Sequence, residues 1–166
     1  MIDQIRKYNF WDNNIPELGF ERREYIQKIH ASVGNNLVKV LVGQRRAGKS
    51  FVLRQLAKRL LDDGVPVQNI LYVNTEYLEY GYLKTATDLQ ALYQEYKRVL
   101  CPEGKVYLFL DEIQQIKDWE KFVNSHSQDF VEPKEIFISG SNSDLLSGEL
   151  ATLLSGRYVE FEILPY

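Results

Sequence analysis

Short, unbroken apolar runs alternate along this chain with longer stretches in which apolar residues recur every three or four positions. The runs fall at 37–42, 70–74, 106–110, 135–139 and 158–163 and are rich in Val, Ile, Leu, Phe and Tyr. Their length and composition predict strands, and the first, third and fourth should be buried on both faces of a sheet. Between them, Val52, Leu53, Leu56, Ala57, Leu60 and Leu61 form a helical stripe, with Arg54, Gln55, Lys58 and Arg59 on the opposite, polar side. Leu89, Leu92, Tyr93, Tyr96 and Leu100 form a second stripe, opened by Thr87 with Gln90 three residues on, the spacing of a capping box. Trp119, Phe122 and Val123 begin a third behind Asp118 as N-cap, and Leu146, Leu150, Leu153 and Leu154 make a fourth that ends at Ser155-Gly156.

Breakers stand where these helices must stop, Gly64 and Pro66 after the first, Pro102 and Gly104 after the second. Strand–helix alternation of this kind predicts βαβ units, and so an α/β domain in three α/β/α layers around a mostly parallel sheet. A further helix is expected over 21–32, ahead of the first strand. Residues 1–20 form an N-terminal extension without clear periodicity, in which Phe10 and Trp11 should dock on the core. Residues 21–166 show no repeat, low-complexity tract or linker and read as one domain.

The chain has 166 residues, enough to bury one ordinary core, and its 45% hydrophobic and 26% charged content is that of a globular protein. A net charge of −3 argues against a protein that coats nucleic acid or an anionic membrane. The single cysteine, Cys101, cannot form an internal disulfide and should sit buried or half-buried at a helix end. No apolar run approaches the ~18 residues of a membrane span, and the polar start is no signal peptide, so a cytoplasmic location is expected.

The first predicted strand runs directly into Gly43-Gln-Arg-Arg-Ala-Gly48-Lys49-Ser50, which fits G-x-x-x-x-G-K-[ST] with a strand before it and a helix after. Gly43 and Gly48 allow the tight turn that aims successive N–H groups at phosphate oxygens. The positive end of the following helix points at the same anion. Lys49 supplies a charge for the β and γ phosphates, and Ser50 is placed to ligate Mg²⁺. The candidate nucleotide-binding residues are therefore Gly43, Gln44, Arg45, Arg46, Ala47, Gly48, Lys49, Ser50 and Phe51. Arg45 and Arg46 fill unspecified positions among them and read as solvated.

The strand at 106–110 ends in Asp111 and Glu112. Open parallel sheets bind ligands at the carboxyl ends of their strands, which is where this pair would lie. Asp111 would orient the metal and its waters, and Glu112 would accept a proton from, or align, the water that attacks the γ phosphate. The strand at 135–139 ends in Gly140-Ser141-Asn142, a polar tip that could touch the γ phosphate or that water; Asn142 is the favoured group and Ser141 the next. Arg157 follows Ser155-Gly156 and opens the last strand. Arginine suits the charge of a transferred phosphoryl group, in cis or from a neighbouring subunit, and equally suits a surface ion pair.

Taken together, GQRRAGKS, VYLFLDEIQ, ISGSNSDLL and LLSGRYVEFEILPY resemble AAA+ ATPases, most closely a prokaryotic subgroup whose P-loop domain precedes a C-terminal domain of poorly understood function. The resemblance spans about residues 20–166. It implies strand order 5-1-4-3-2, ATP with Mg²⁺, and hydrolysis by a glutamate-activated water. Gly43, Gly48, Lys49 and Ser50 match Walker A, Asp111 and Glu112 match Walker B, and Asn142 matches the sensor-1 position. Arg157 matches an arginine finger that reaches the nucleotide of a neighbouring copy, which implies a homo-oligomer. The family continues past the fifth strand into a helical lid, so a piece lacking that lid, with downstream domains as further partners, is expected.

Other features read as structural. Tyr72, Tyr77, Tyr80, Tyr82, Tyr93 and Tyr96 lie among acidic residues, which suits packing better than base stacking. His30 and His126 are too isolated for a metal site. The helix bearing Arg22, Arg23 and Tyr25 reads as a solvated amphipathic one. Two other functions remain in view, a nucleotide-dependent switch that turns over rarely and a small-molecule kinase. The Asp-Glu pair and the Asn-tipped strand suit water as phosphoryl acceptor better than a metabolite.

Overall fold

The computed structural model describes residues 1–141 and 150–165. The predicted runs form β1 (Val38–Val42), β2 (Ile70–Asn74), β3 (Val106–Asp111), β4 (Lys134–Gly140) and β5 (Tyr158–Glu162). They build one sheet in the order β2-β3-β4-β1-β5, every pair parallel. Read from the other edge, this is the order 5-1-4-3-2 that the family resemblance implies.

Alternate side chains along each strand feed two cores, as a period of two requires. Val38, Val40, Val42, Leu71, Val73, Leu108, Leu110, Ile136 and Ile138 face α1 (Ile2–Ile5), α4 (Ala86–Leu100) and α5 (Trp119–Ser127). Leu41, Tyr72, Phe109, Phe137 and Phe161 face α2 (Arg23–His30) and α3 (Lys49–Asp62). Phe109 and Phe137 stack at 4.5 Å in the middle of that second face. A last short helix, α6 (Leu150–Leu153), buries Leu150 ahead of β5, whereas Leu146 lies outside the described residues. Among the described residues, no helix is long and apolar enough to cross a membrane.

Several local expectations are corrected. Arg54 and Gln55 are buried, not solvated: Arg54 donates to the Tyr77 hydroxyl at 3.3 Å and lies over the Phe51 ring, while chain 18–22 covers Gln55, which donates to the carbonyls of Leu18 and Phe20 and accepts the Arg22 N–H. The capping box of α4 is Thr85 with Asp88, two residues earlier than Thr87 with Gln90. Asp118 stands at the N-cap of α5, but with φ 62° its side chain caps nothing. Cys101 ends α4 in the left-handed region, φ 50°, which turns its side chain out to solvent. The helix expected over 21–32 is shorter, Arg23–His30.

Residues 1–14 close the free edge of β2. Trp11 and Phe10 dock as expected, both buried. The Trp11 indole N–H donates to the Ile70 carbonyl at 2.9 Å. Asn9 accepts the Tyr72 N–H at 2.7 Å and donates to the Tyr72 carbonyl at 3.2 Å. β2 is consequently as buried as the central strands, although it is an edge strand.

Candidate functional site

Gly43 leaves β1 so close to β5 that an added Cβ would stand 2.4 Å from the Ile163 carbonyl oxygen. Gly48 takes φ 95°, a region that glycine enters without a Cβ penalty, and α3 starts at the next residue, Lys49. The loop between them is thus a tight turn opening a helix, with Arg46 also left-handed at φ 65°. Lys49 is buried, and its ammonium donates to the Gly43 and Gln44 carbonyls at 2.6 and 3.0 Å. Burial lowers its pKa, against the pull of Glu112, Asp111 and Glu76. A cleft of about 480 Å³ lies against Arg45, Arg46, Gly48, Lys49, Ser50, Phe51, Glu76 and Glu112, within the size of small-molecule sites.

At the carboxyl ends of β2, β3 and β4 a polar row crosses the sheet on the α3 side. Asp111 is fully buried. Its Oδ1 accepts the Ser139 hydroxyl, and its Oδ2 accepts Tyr72 Oη at 2.5 Å and Asn74 Nδ2 at 3.3 Å. Burial first, then the charge of Asp111, raises the Tyr72 pKa well above that of an ordinary phenol, so the hydroxyl acts as donor.

Glu112 adopts φ 56°, an unusual conformation for a residue with a side chain. Three bonds hold it there. Its N–H donates to Ser139 Oγ at 3.0 Å, its carbonyl accepts Thr75 Oγ1 at 2.6 Å, and its Oε2 accepts Gln114 Nε2 at 2.5 Å. Burial raises its carboxyl pKa, with Gln114 opposing and Asp111 reinforcing the shift. The result is a shielded, oriented carboxylate facing the same cleft as Lys49, with raised basicity.

Of the expected site residues, Arg45, Arg46, Gly48, Lys49, Ser50, Phe51 and Glu112 line one cleft, Lys49 reaches the Gly43 and Gln44 carbonyls, and Asp111 lies buried beside Glu112. Arg45 and Arg46 are exposed as expected, Gln44 is exposed as well, and Arg45 pairs with Glu76 at 3.4 Å. Asn142 lies outside the described residues. Arg157 is exposed beside the start of β1, where its carbonyl accepts the Val38 N–H at 3.1 Å, at the opposite end of the sheet from the loop. Sequence reasoning missed Tyr72, Asn74 and Ser139, which hold Asp111, and Arg22. Rather than being solvated, Arg22 ties the loop to the end of the chain, donating to the Ala47 carbonyl at 3.1 Å and the Leu164 carbonyl at 2.6 Å. Tyr25 assists by accepting the Leu164 N–H at 3.0 Å.

This sheet order, with a glycine turn opening a helix beside two strand-end carboxylates, defines a P-loop α/β domain. A family model described as "AAA domain" matches residues 35–166, and the chain belongs to that family as an AAA+ P-loop ATPase core. An uncharacterized protein of Haemophilus influenzae is 44% identical over 144 residues, covering 87% of this chain and 35% of the relative. One of Methanocaldococcus jannaschii is 37% identical over 130 residues, covering 78% and 27%. The chain therefore spans about a third of the length of the curated relatives it matches. Among solved structures, Aeropyrum pernix Orc1 in complex with DNA superposes with a TM-score of 0.62 at 16% identity, covering 94% of this chain and 48% of that one. A Walker-type ATPase of Pyrococcus abyssi gives 0.55 at 20%, covering 89% and 54%. At such identities these two share the fold.

Proposed function

We propose that this domain binds ATP with Mg²⁺ and hydrolyses it, and that the cycle drives conformational change in domains or partners attached to it. The observation that supports this most is the meeting of the Lys49 loop with Glu112 in one cleft, with Asp111 buried next to Glu112 at the end of β3. The N–H groups of Gly43 to Phe51 wrap the phosphate tail, and Lys49 transfers its ammonium from the loop carbonyls to the β and γ phosphates. The absence of a Cβ at Gly43 lets the loop lie against the Ile163 backbone, which fixes where it leaves the sheet. Ser50 and Asp111 offer the hard oxygen donors that suit Mg²⁺, directly or through water. When bound, that ion neutralises charge on the phosphate oxygens. Glu112 takes a proton from, or aligns, the attacking water; its raised pKa suits a general base.

Asn142 is proposed to align that water or the γ phosphate. Arg157, far from this chain's own cleft, is proposed to serve the nucleotide of a second copy. The test is phosphate release in the presence of MgATP. Free phosphate from the wild type, with Glu112→Gln retaining ATP uncleaved, supports the reading. A phosphorylated metabolite, or one long-held nucleotide without turnover, contradicts it.

A further inference from the structure

Tyr72 joins the Asp111 carboxylate to the N-terminal segment. Its side chain is fully buried on the α3 face of β2, and its hydroxyl donates to Asp111 Oδ2 at 2.5 Å. Its backbone is held from outside the sheet. Asn9, also fully buried, takes the Tyr72 N–H at 2.7 Å and gives an N–H to the Tyr72 carbonyl at 3.2 Å. Asn9 is itself fixed by the Ile5 carbonyl at 3.0 Å, and Asn14 Nδ2 donates to the Asn9 carbonyl at 2.6 Å. One side-chain amide thus does for Tyr72 what a further strand would do.

A carboxylate keeps a single orientation only when both oxygens are held. Ser139 on β4 holds Oδ1 of Asp111, and Tyr72 on β2 holds Oδ2, aided by the longer bond from Asn74. Without the Tyr72 hydroxyl, Oδ2 keeps, among the described residues, only the 3.3 Å contact, and the group can turn. The hydroxyl in turn stands where the β2 backbone puts it, and β2 is the strand whose outer edge is completed by residues 1–14. Two hydrogen-bonded steps, Asn9 to the Tyr72 backbone and the Tyr72 hydroxyl to Asp111, connect that segment to the carboxylate.

We propose that Tyr72 is a positioning residue for Asp111 and that residues 1–14, through Asn9, set where its hydroxyl stands, so that this segment tunes the use of Mg²⁺ at the site. The inference rests on the role proposed above for Asp111. Groups that orient a metal's ligands typically change metal affinity by 10–100-fold when removed.

The test is calorimetric binding of ATP, titrated with Mg²⁺ and repeated in EDTA. Tyr72→Phe should weaken the apparent Mg²⁺ affinity about tenfold while leaving ATP affinity in EDTA within about twofold of the wild type. Asn9→Ala should shift Mg²⁺ affinity in the same direction by a smaller factor. Trp11→Phe also loses an edge bond, but to Ile70, and should leave Mg²⁺ affinity unchanged however much it lowers the melting temperature. Unchanged Mg²⁺ affinity in Tyr72→Phe, or an equal loss with and without Mg²⁺, overturns the positioning role. A shift in Tyr72→Phe with none in Asn9→Ala overturns the part given to the N-terminal segment. Asp111→Asn separates the failures: if it too leaves the Mg²⁺ dependence intact, the reading of Asp111 itself falls and this inference with it.

Discussion

Ser139 accepts the amide hydrogen of Glu112 at 3.0 Å while its own hydroxyl hydrogen goes to Asp111. One small side chain on β4 therefore fixes both members of the acidic pair on β3. Ser139→Ala leaves a buried Glu112 N–H without its acceptor, which costs about 1–3 kcal/mol, and lets the left-handed turn at Glu112 relax. The expected outcome is a lower midpoint in urea and a larger fall in phosphate release than in ATP affinity. Equal turnover in Ser139→Ala would remove Ser139 from the account.

The raised pKa of Glu112 makes a statement about pH. A general base works when deprotonated, so the rate of phosphate release should fall as pH drops through a value above the ordinary glutamate range of about 4.3. Gln114→Leu removes a hydrogen bond that favours the charged form and should move that acidic limb to still higher pH. A limb that stays put in Gln114→Leu would mean that another group controls it.

At the other end of the sheet, Lys39 is fully buried against Glu135 and donates to Asn35 Oδ1 at 2.8 Å, while Lys105 reaches the second Glu135 oxygen at 2.5 Å. Removing one partner of such a pair typically costs about 3–5 kcal/mol, because the other charge stays buried. Glu135→Leu, which strands Lys39, should cost that much in chemical denaturation. The double variant Lys39→Met with Glu135→Leu should recover a large part of it. Simple additivity of the two single losses would contradict the pairing.

His126 packs edge-on against Tyr93 at 4.7 Å and bonds Gln90 at 2.6 Å through Nε2, while its buried Nδ1 has no partner among the described residues. Burial, followed by the charge of Lys134, lowers its pKa to about 4. The unfolded chain takes up the proton near the ordinary value of about 6.5, before the folded one can. Stability should therefore be intact above that pH and fall by about 3 kcal/mol as pH drops toward 4. His126→Phe should lose less stability over that interval than the wild type. Identical slopes in the two proteins would show that His126 is not the group responsible.

The Gly43 turn offers a purely steric test. A Cβ there meets the Ile163 backbone oxygen at 2.4 Å, and a backbone neighbour cannot swing aside as a side chain could. Gly43→Ala should cost about 1–3 kcal/mol and weaken ATP binding through displacement of the loop. Gly64→Ala, remote from the cleft, meets nothing but is strained by its φ of 106°, so it should lower stability without changing ATP affinity.

Much of this fold was legible because five strands, four of them buried along nearly their whole length, leave five apolar runs, and the loop motif sits between a strand and a helix as its chemistry requires. The polar row was not. Tyr72 and Asn74 lie two apart in β2, so one face of that strand was bound to carry both, yet their meeting with Asp111 and Ser139 depends on strand order. Helical periodicity placed Arg54 and Gln55 in solvent because it describes one helix and takes no account of Tyr77 against Arg54 or of chain 18–22 over Gln55. Thr85 and Thr87 each have a suitable partner three residues on, and only the point where α4 starts decides between them. The side-chain edge closure by Asn9 and Trp11 leaves no periodic trace at all.

The central claim is that the loop from Gly43 to Ser50 grips a nucleotide's phosphates through its amides and the Lys49 ammonium. Titration calorimetry of ATP with excess Mg²⁺, on the wild type and Lys49→Ala, measures it most directly. Saturable uptake by the wild type, weakened at least about tenfold in the variant as loss of a charge-assisted contact requires, is the predicted result. Equal affinity in the two proteins, or no uptake by the wild type, would contradict it.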